Sequence, residues 1–205
     1  MMASNHDIVQ DLLDIKAVQI KTDGYFTWTS GIQSPIYCDN RLTMSYPAIR
    51  KKIAKAFAAK VRALDVQPDV IAGCATAGIT HAAWLADELD LPMVYVRSKP
   101  KAHGKGNQIE GFVKAGQKAI VIEDLISTGG SSIESAQALQ AEGVEVLEVM
   151  AIFTYGLAKA EQQFADAGLT FSTISGFDAL VDLLEQKQEI SAAEKAALLE
   201  WRNER

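Results

Sequence analysis

The chain has 205 residues, 48% of them hydrophobic and 22% charged, which excludes a disordered or fibrous polymer and allows one domain with a sizeable core. A formal charge of −6 excludes a generally basic surface built for nucleic acid or anionic lipid, so any anion site must be local. Cys38 and Cys74 are too few for a disulfide framework or a zinc site and read as buried small hydrophobes in a reducing cytoplasm.

The first 14 residues carry Asp7, Asp11 and Asp14 but no basic start or long apolar run, and no later stretch reaches membrane-spanning length. A soluble, cytoplasmic protein is therefore expected, with nothing to export or anchor it. Ile8, Val9, Leu12 and Leu13 fall on one face of a short helix that Ser4 can cap. The runs Tyr25-Phe-Thr-Trp28 and Ile36-Tyr-Cys38, separated by the turn signals Ser30-Gly31 and Ser34-Pro35, predict a small β-hairpin. Pro47 suits the first turn of a helix whose apolar face is Ile49, Ile53, Phe57 and Val61, at steps of four.

From residue 69 the pattern changes. Short apolar runs at 70–73, 93–96, 119–122 and 146–153 alternate with helical segments at 79–90, 131–142 and 156–167, which predicts an α/β fold with a mostly parallel sheet flanked by helices. Leu180, Val181, Leu183 and Leu184 suit a further helix, and Ser191 with Glu194 forms a capping-box pattern before a last one.

In such sheets, ligands bind beyond the carboxyl ends of the strands, and three loops there are unusual. The most informative is Ala119-Ile-Val-Ile-Glu-Asp-Leu-Ile-Ser-Thr-Gly-Gly-Ser-Ser132, an apolar strand ending in two carboxylates and a glycine- and hydroxyl-rich turn that opens a helix. Gly129 and Gly130 let backbone N–H groups approach an anion, and Ser127, Thr128 and Ser131 add hydroxyls at the positive end of the helix dipole. A phosphate monoester fits. Glu123 and Asp124 would repel it and must face sugar hydroxyls or Mg²⁺ on the same ligand. By itself Ser-Thr-Gly-Gly reads as a helix N-cap; two adjacent carboxylates ending a buried strand favour a ligand, because they need a compensating partner.

The second loop, 98–110, holds three lysines and His103, directly after Arg97. Clustered positive charge on an acidic protein, with Gly104 and Gly106 as hinges, reads as a mobile lid for a polyanion. The third, Gly73-Cys-Ala-Thr-Ala-Gly78, ends its strand in small residues, which suits either close approach of the main chain to a ligand or tight helix–strand packing. Neither a nucleoside-triphosphate P-loop nor a G-x-G-x-x-G fingerprint is present.

Val121-Ile-Glu-Asp-Leu-Ile-Ser-Thr-Gly-Gly-Ser131 resembles the phosphoribosyl-pyrophosphate motif of the type I phosphoribosyltransferases. The basic loop 97–108 and Phe26-Thr-Trp-Thr-Ser-Gly-Ile-Gln-Ser-Pro-Ile-Tyr37 narrow the similarity to the orotate phosphoribosyltransferases, over most of the chain. The resemblance implies transfer of ribose 5-phosphate from phosphoribosyl pyrophosphate to orotate. It implies one domain spanning 1–205, with a small hood from about 1–45 and the C-terminal segment over a core of about 46–175, and a homodimer with shared active sites.

The resemblance also implies the site. Glu123 and Asp124 hold the ribose hydroxyls, and the turn through Leu125, Ile126, Ser127, Thr128, Gly129, Gly130 and Ser131 cradles the 5-phosphate. Ser127 meets orotate as well. Arg97, Lys101 and His103 contact the pyrophosphate from the lid and 75–78 from the core, while Mg²⁺ is held mainly by substrate oxygens. Lys101, His103 and Asp124 are the catalytic candidates, and no covalent nucleophile is apparent. His6 and His81 lack such a context, and His81 reads as packed or solvated.

The sequence departs from some family members. Ser98, Thr29 and Ala77 stand where lysine can occur, and Phe153-Thr-Tyr-Gly156 offers no arginine where some members clamp the carboxylate of the base. A phosphoribosyltransferase for a purine or another pyrimidine stays open as an alternative. A regulatory protein that senses phosphoribosyl pyrophosphate is the more distant one, without the basic surface that nucleic-acid binding needs.

Overall fold

The computed structural model describes residues 5–27, 33–99 and 108–205. Helix α1 (Asn5–Asp14) leads into four short strands, β1 (Val18–Ile20), β2 (Phe26–Thr27), β3 (Gln33–Ser34) and β4 (Ile36–Cys38), and then a 3-10 helix, Asn40–Ser45. The α/β alternation follows: α2 (Pro47–Arg62), β5 (Val70–Cys74), α3 (Ala77–Leu89), β6 (Met93–Val96), β7 (Ile109–Glu110), β8 (Lys118–Ile126), α4 (Gly130–Ala141), β9 (Glu145–Thr154), α5 (Ala158–Asp166) and β10 (Phe171–Gly176). The chain closes with α6 (Phe177–Gln186) and α7 (Ala192–Asn203).

Six strands form the main sheet in the order β10-β9-β8-β5-β6-β7. Every neighbouring pair is parallel except β6 with β7, so the predicted α/β fold class with a mostly parallel sheet is the one observed. Strand alternation divides the apolar runs between two cores. Ile120, Ile122, Met150 and Ile152 face one core with α1, α2, α3, α6 and α7. Ala119, Val121, Val149 and Ala151 face the other with α4 and α5. Pro47 stands in the first turn of α2, and Ile53, Phe57 and Val61 are buried as the four-residue spacing predicts. The Ser191–Glu194 capping box is formed in both directions.

The hairpin expected between 25–28 and 36–38 is not the one formed. Phe26–Thr27 pairs with Gln33–Ser34, while Ile36–Cys38 pairs with Val18–Ile20. Pro35 supplies no N–H and interrupts the run. The Ile36 N–H turns to Ser34 Oγ at 3.2 Å, and the Pro35 carbonyl accepts from Lys21 at 2.8 Å. Trp28 and the capping candidate Ser4 lie outside the described residues. Strands β1, β7 and β10 have no counterpart in the sequence reading: β1 and β7 have only three and two residues, and β10, Phe-Ser-Thr-Ile-Ser-Gly, lacks an apolar run. Ile109 and Glu110, read as part of the loop after Arg97, belong to the sheet edge.

At the carboxyl end of β5, both glycines answer to packing. A side chain on Gly73 would stand 2.8 Å from the Ile79 Cα, and one on Gly78 would collide with the Ile122 carbonyl oxygen. Helix α3 thus lies directly on β5 and β8. The chain ends meet across the fold: α1 packs on α6 and β10, and Trp201 Nε1 of α7 donates to the Gln33 carbonyl at 3.3 Å. No helix among the described residues is long and apolar enough to cross a membrane.

Candidate active site

Strands β5 and β8 are neighbours, but the chain leaves β5 toward β6 on one side and β8 toward β9 on the other. This reversal opens a crevice beyond their carboxyl ends. The 75–78 turn, with a cis Ala75–Thr76 peptide, forms one wall. The turn from Glu123 to Gly129 forms the other.

Glu123 is buried, 6% exposed, and both its oxygens are engaged. Oε1 accepts from the Asp124 N–H at 3.0 Å and Oε2 from Ser131 Oγ at 3.2 Å. Asp124 is half-buried beside Glu123. Neither forms an ion pair with a described residue. Burial, then the charge of Asp124, raises the Glu123 pKa, and burial raises that of Asp124. Burial thus favours a proton on the pair, and donors or positive charge from a ligand would pull both pKa values back down.

The turn does not cap its helix. Gly129 is the N-cap residue, and no side chain accepts from the first N–H groups of α4. Ser131 Oγ turns to Glu123, and Ser132 Oγ donates backward to the Gly129 carbonyl at 2.9 Å. Uncapped N–H groups at the positive end of a 12-residue helix form an anion site. Ser127 and Thr128 are half-buried beside it. Leu125 and Ile126 are strand residues whose side chains belong to the two cores, so their contribution to a ligand is through the main chain.

The two glycines of the turn have different reasons. Gly129 has φ +86° and a side chain there would meet Phe164 Cε2 at 2.5 Å, whereas around the Cβ position of Gly130 nothing lies within 4 Å. Gly129 thus answers first to backbone conformation and packing on α5. Gly129→Ala is expected to lose about 1–3 kcal/mol of stability. Gly130→Val should keep its melting temperature and bind a phosphorylated sugar at least tenfold more weakly. Thermal denaturation and calorimetry on the two variants check the split.

The base of the basic loop is a closed ladder. Arg97 N–H donates to the Gln108 carbonyl at 2.9 Å, and Gln108 Nε2 returns a bond to the Arg97 carbonyl at 2.7 Å. The Arg97 guanidinium lies 3.3 Å from Glu110, so its charge is already shared with a carboxylate. Lys101 and His103 lie outside the described residues. His81 is packed: it is 2% exposed, 3.3 Å from Thr43 Oγ1 and edge-on to Trp84, and burial lowers its pKa to about 4.

Three residues went unnoticed in the sequence. Asn40 is fully buried and its Nδ2 donates to the Asp124 carbonyl at 2.7 Å, fixing the strand end that carries the carboxylates. Arg41, held by Asp39 at 2.8 Å, is the positive charge that Asp124 feels. Thr154 Oγ1 donates to the Ile126 carbonyl at 3.0 Å and accepts from the Gly156 N–H at 3.0 Å, latching the end of β9 to the start of the turn. None carries a local signal, since each acts on a residue remote in sequence.

A family model for the phosphoribosyl transferase domain matches residues 44–180. The orotate phosphoribosyltransferase of Oceanobacillus iheyensis is 61% identical over 198 residues, 97% of this chain and 98% of that protein. A solved orotate phosphoribosyltransferase from Aeropyrum pernix is similar with a TM-score of 0.73 at 26% identity, over 90% of this chain and 99% of that one. UMP synthase of Leishmania donovani is similar with a TM-score of 0.79 at 28% identity, over 98% of this chain; the match spans 42% of that longer protein.

Proposed function

Because the chain belongs to the phosphoribosyl transferase family, we propose that it acts as an orotate phosphoribosyltransferase. It moves ribose 5-phosphate from phosphoribosyl pyrophosphate to orotate, giving orotidine 5′-phosphate and pyrophosphate in UMP biosynthesis. The observation that carries this reading is one turn that joins a buried carboxylate pair to an uncapped helix N-terminus. Those two elements suit the hydroxyls and the phosphate at opposite ends of one phosphoribosyl group. Identity of 61% along nearly the whole chain to an enzyme named for orotate supplies the base.

In this mechanism the 5-phosphate lies on the N–H groups at the start of α4, with Ser127, Thr128 and Ser131 around it. Asp124 and Glu123 accept hydrogen bonds from the ribose hydroxyls, which add to the Asp124 N–H and Ser131 Oγ donors that Glu123 already has. A ring nitrogen of orotate, beside Ser127, attacks C1′ and gives up its proton to solvent or the departing pyrophosphate, while the bond to the pyrophosphate oxygen breaks and its electron pair leaves with that oxygen. Arg97, Lys101 and His103 stabilise the departing charge, and the 75–78 turn supports it.

Among the described residues no three His, Cys, Asp or Glu side chains gather into a metal cage, and the Glu123 oxygens are engaged. Asp124, half-buried beside Glu123, would be the protein neighbour of a Mg²⁺ held mainly by substrate oxygens and water. When bound, Mg²⁺ neutralises charge building up on the pyrophosphate.

The proposed protein is a cytoplasmic homodimer of one-domain subunits, with the hood from about 1–45 and the C-terminal segment. Incubation with phosphoribosyl pyrophosphate, Mg²⁺ and a panel of bases tests the reaction: orotate is consumed, and consumption of a purine in its place would overturn the choice of base. If each basic lid serves its partner's site, Lys101→Ala and Asp124→Asn are each nearly inactive alone. Subunit exchange between equal amounts then restores about a quarter of wild-type activity, because half the dimers are mixed and each mixed dimer has one intact site. Activity that stays at the level of the separate mutants, after mass spectrometry confirms exchange, rejects shared sites.

A further inference from the structure

We infer that Arg202, on the last helix, recognises the carboxylate of the base; the inference rests on the orotate reading above. In orotate that carboxylate is carried by the carbon next to the attacking nitrogen. With the nitrogen near Ser127, the anion falls at the mouth between the ends of β8 and β9, on the side away from Arg97. Gly156 stands at that mouth. Its N–H donates to Thr154 Oγ1, which in turn donates to the carbonyl of Ile126, the residue before Ser127.

Gly156 has φ +67°, and a Cβ there would lie 2.9 Å from Arg202 Nη1. The guanidinium thus fills the space that a side chain at 156 would take. Helix α7 brings it there. Trp201, 7% exposed, packs on Phe177 and bonds the Gln33 carbonyl of the β2–β3 hairpin.

The guanidinium is also aimed. Asp178 meets Nη1 at 3.2 Å and Nη2 at 3.1 Å, and Nε donates to Asn203 Oδ1 at 2.9 Å. The Asp178 side chain is 65% exposed and that of Arg202 17%, so the carboxylate steers from the solvent side. A guanidinium has five N–H donors. These contacts occupy three; because Asp178 takes the fork between the terminal nitrogens, the two N–H groups left point apart, and the one on Nη1, the nitrogen nearest Gly156, is the donor for one oxygen of the carboxylate. An exposed ion pair holds its partners weakly, so Asp178 orients Arg202 without sequestering it.

The test compares orotidine 5′-phosphate with uridine 5′-phosphate, which differ by that carboxylate and share the phosphate turn. In the wild-type protein, calorimetry should show tighter binding of orotidine 5′-phosphate. Arg202→Gln should lose at least tenfold of that affinity, keep uridine 5′-phosphate within about twofold, and raise the KM for orotate but not for phosphoribosyl pyrophosphate. Arg202→Lys, which keeps the charge without the fork, should fall between and decides the matter if the glutamine variant unfolds. A preference kept at its wild-type size in either folded variant overturns the inference, whatever happens to the melting temperature, and leaves Arg202 as a pin between α7 and α6. A wild-type protein that neither consumes orotate nor prefers orotidine 5′-phosphate overturns the orotate reading itself.

Discussion

Glu123→Gln is expected to melt higher than the wild-type protein at pH 8 and to have lost most of its turnover. The Glu123 carboxyl is buried beside Asp124, and burial followed by the Asp124 charge raises its pKa in the folded chain. The folded state therefore keeps a proton that the unfolded state releases above its ordinary pKa of about 4.3. Folded-state stability falls as pH rises from that value and reaches its full deficit above the raised pKa. Glutamine does not ionise, and its amide can keep both contacts, with oxygen toward the Asp124 N–H and NH₂ toward Ser131 Oγ. A gain of about 1–3 kcal/mol at pH 8, shrinking toward pH 5, follows from relieving a buried charge. In a chain of this length, each kcal/mol corresponds to roughly 2–4 °C.

A neutral amide in place of either carboxylate is also a poorer acceptor for ribose hydroxyls. Hydrogen bonds to a charged group contribute about 1.5–3 kcal/mol, so Glu123→Gln and Asp124→Asn should each lower kcat/KM tenfold or more. Melting curves at pH 5 and 8, beside steady-state kinetics, measure both effects. A melting difference that does not grow with pH defeats the stability argument, and wild-type kinetics in a folded variant defeats the site.

Gly78→Val should be among the most damaging single substitutions in the chain. The new side chain would collide with the Ile122 carbonyl oxygen and lie 3.2 Å or 3.3 Å from the Ile122 carbonyl carbon and Glu123 Cα. All three obstacles are backbone atoms of β8 and cannot rotate away. Helix α3 has to lift from the sheet, at a cost of about 3 kcal/mol or more, or roughly 6–12 °C in melting temperature. Because Glu123 is one of the displaced residues, the surviving folded fraction should also bind phosphoribosyl pyrophosphate more weakly. Gly130→Ala, with open space around its Cβ, is the control. A Gly78 variant that melts with the control would show that α3 and β8 are not held so closely.

The site was legible wherever its chemistry runs along the chain. Glu123, Asp124 and the turn to Ser131 are contiguous, and the strand before them announces itself by an unbroken apolar run. The reason for each residue was less legible. Gly129 read as an opening for an anion, yet its φ and the Phe164 ring already require glycine, because α5 reaches that position only after the sheet has formed.

By itself, the sequence determined the helices with a clear period, the buried strands β5, β6, β8 and β9, the capping box and the glycine- and hydroxyl-rich turn that opens α4. These depend on residues within a few positions of one another, where propensity and periodicity operate. Tertiary structure alone decided that Ile36–Cys38 pairs with Val18–Ile20, that Phe171–Gly176 joins the sheet as an edge, that Asn40 holds the Asp124 carbonyl, and that Arg202 fills the space beside Gly156. Asn40 and Asp124 are 84 positions apart, and Gln33 and Trp201 are 168 apart. No local pattern encodes such pairs, since the backbone groups of short polar strands and buried amides accept any partner that burial brings near, and which partner arrives is settled when the two cores close on the sheet.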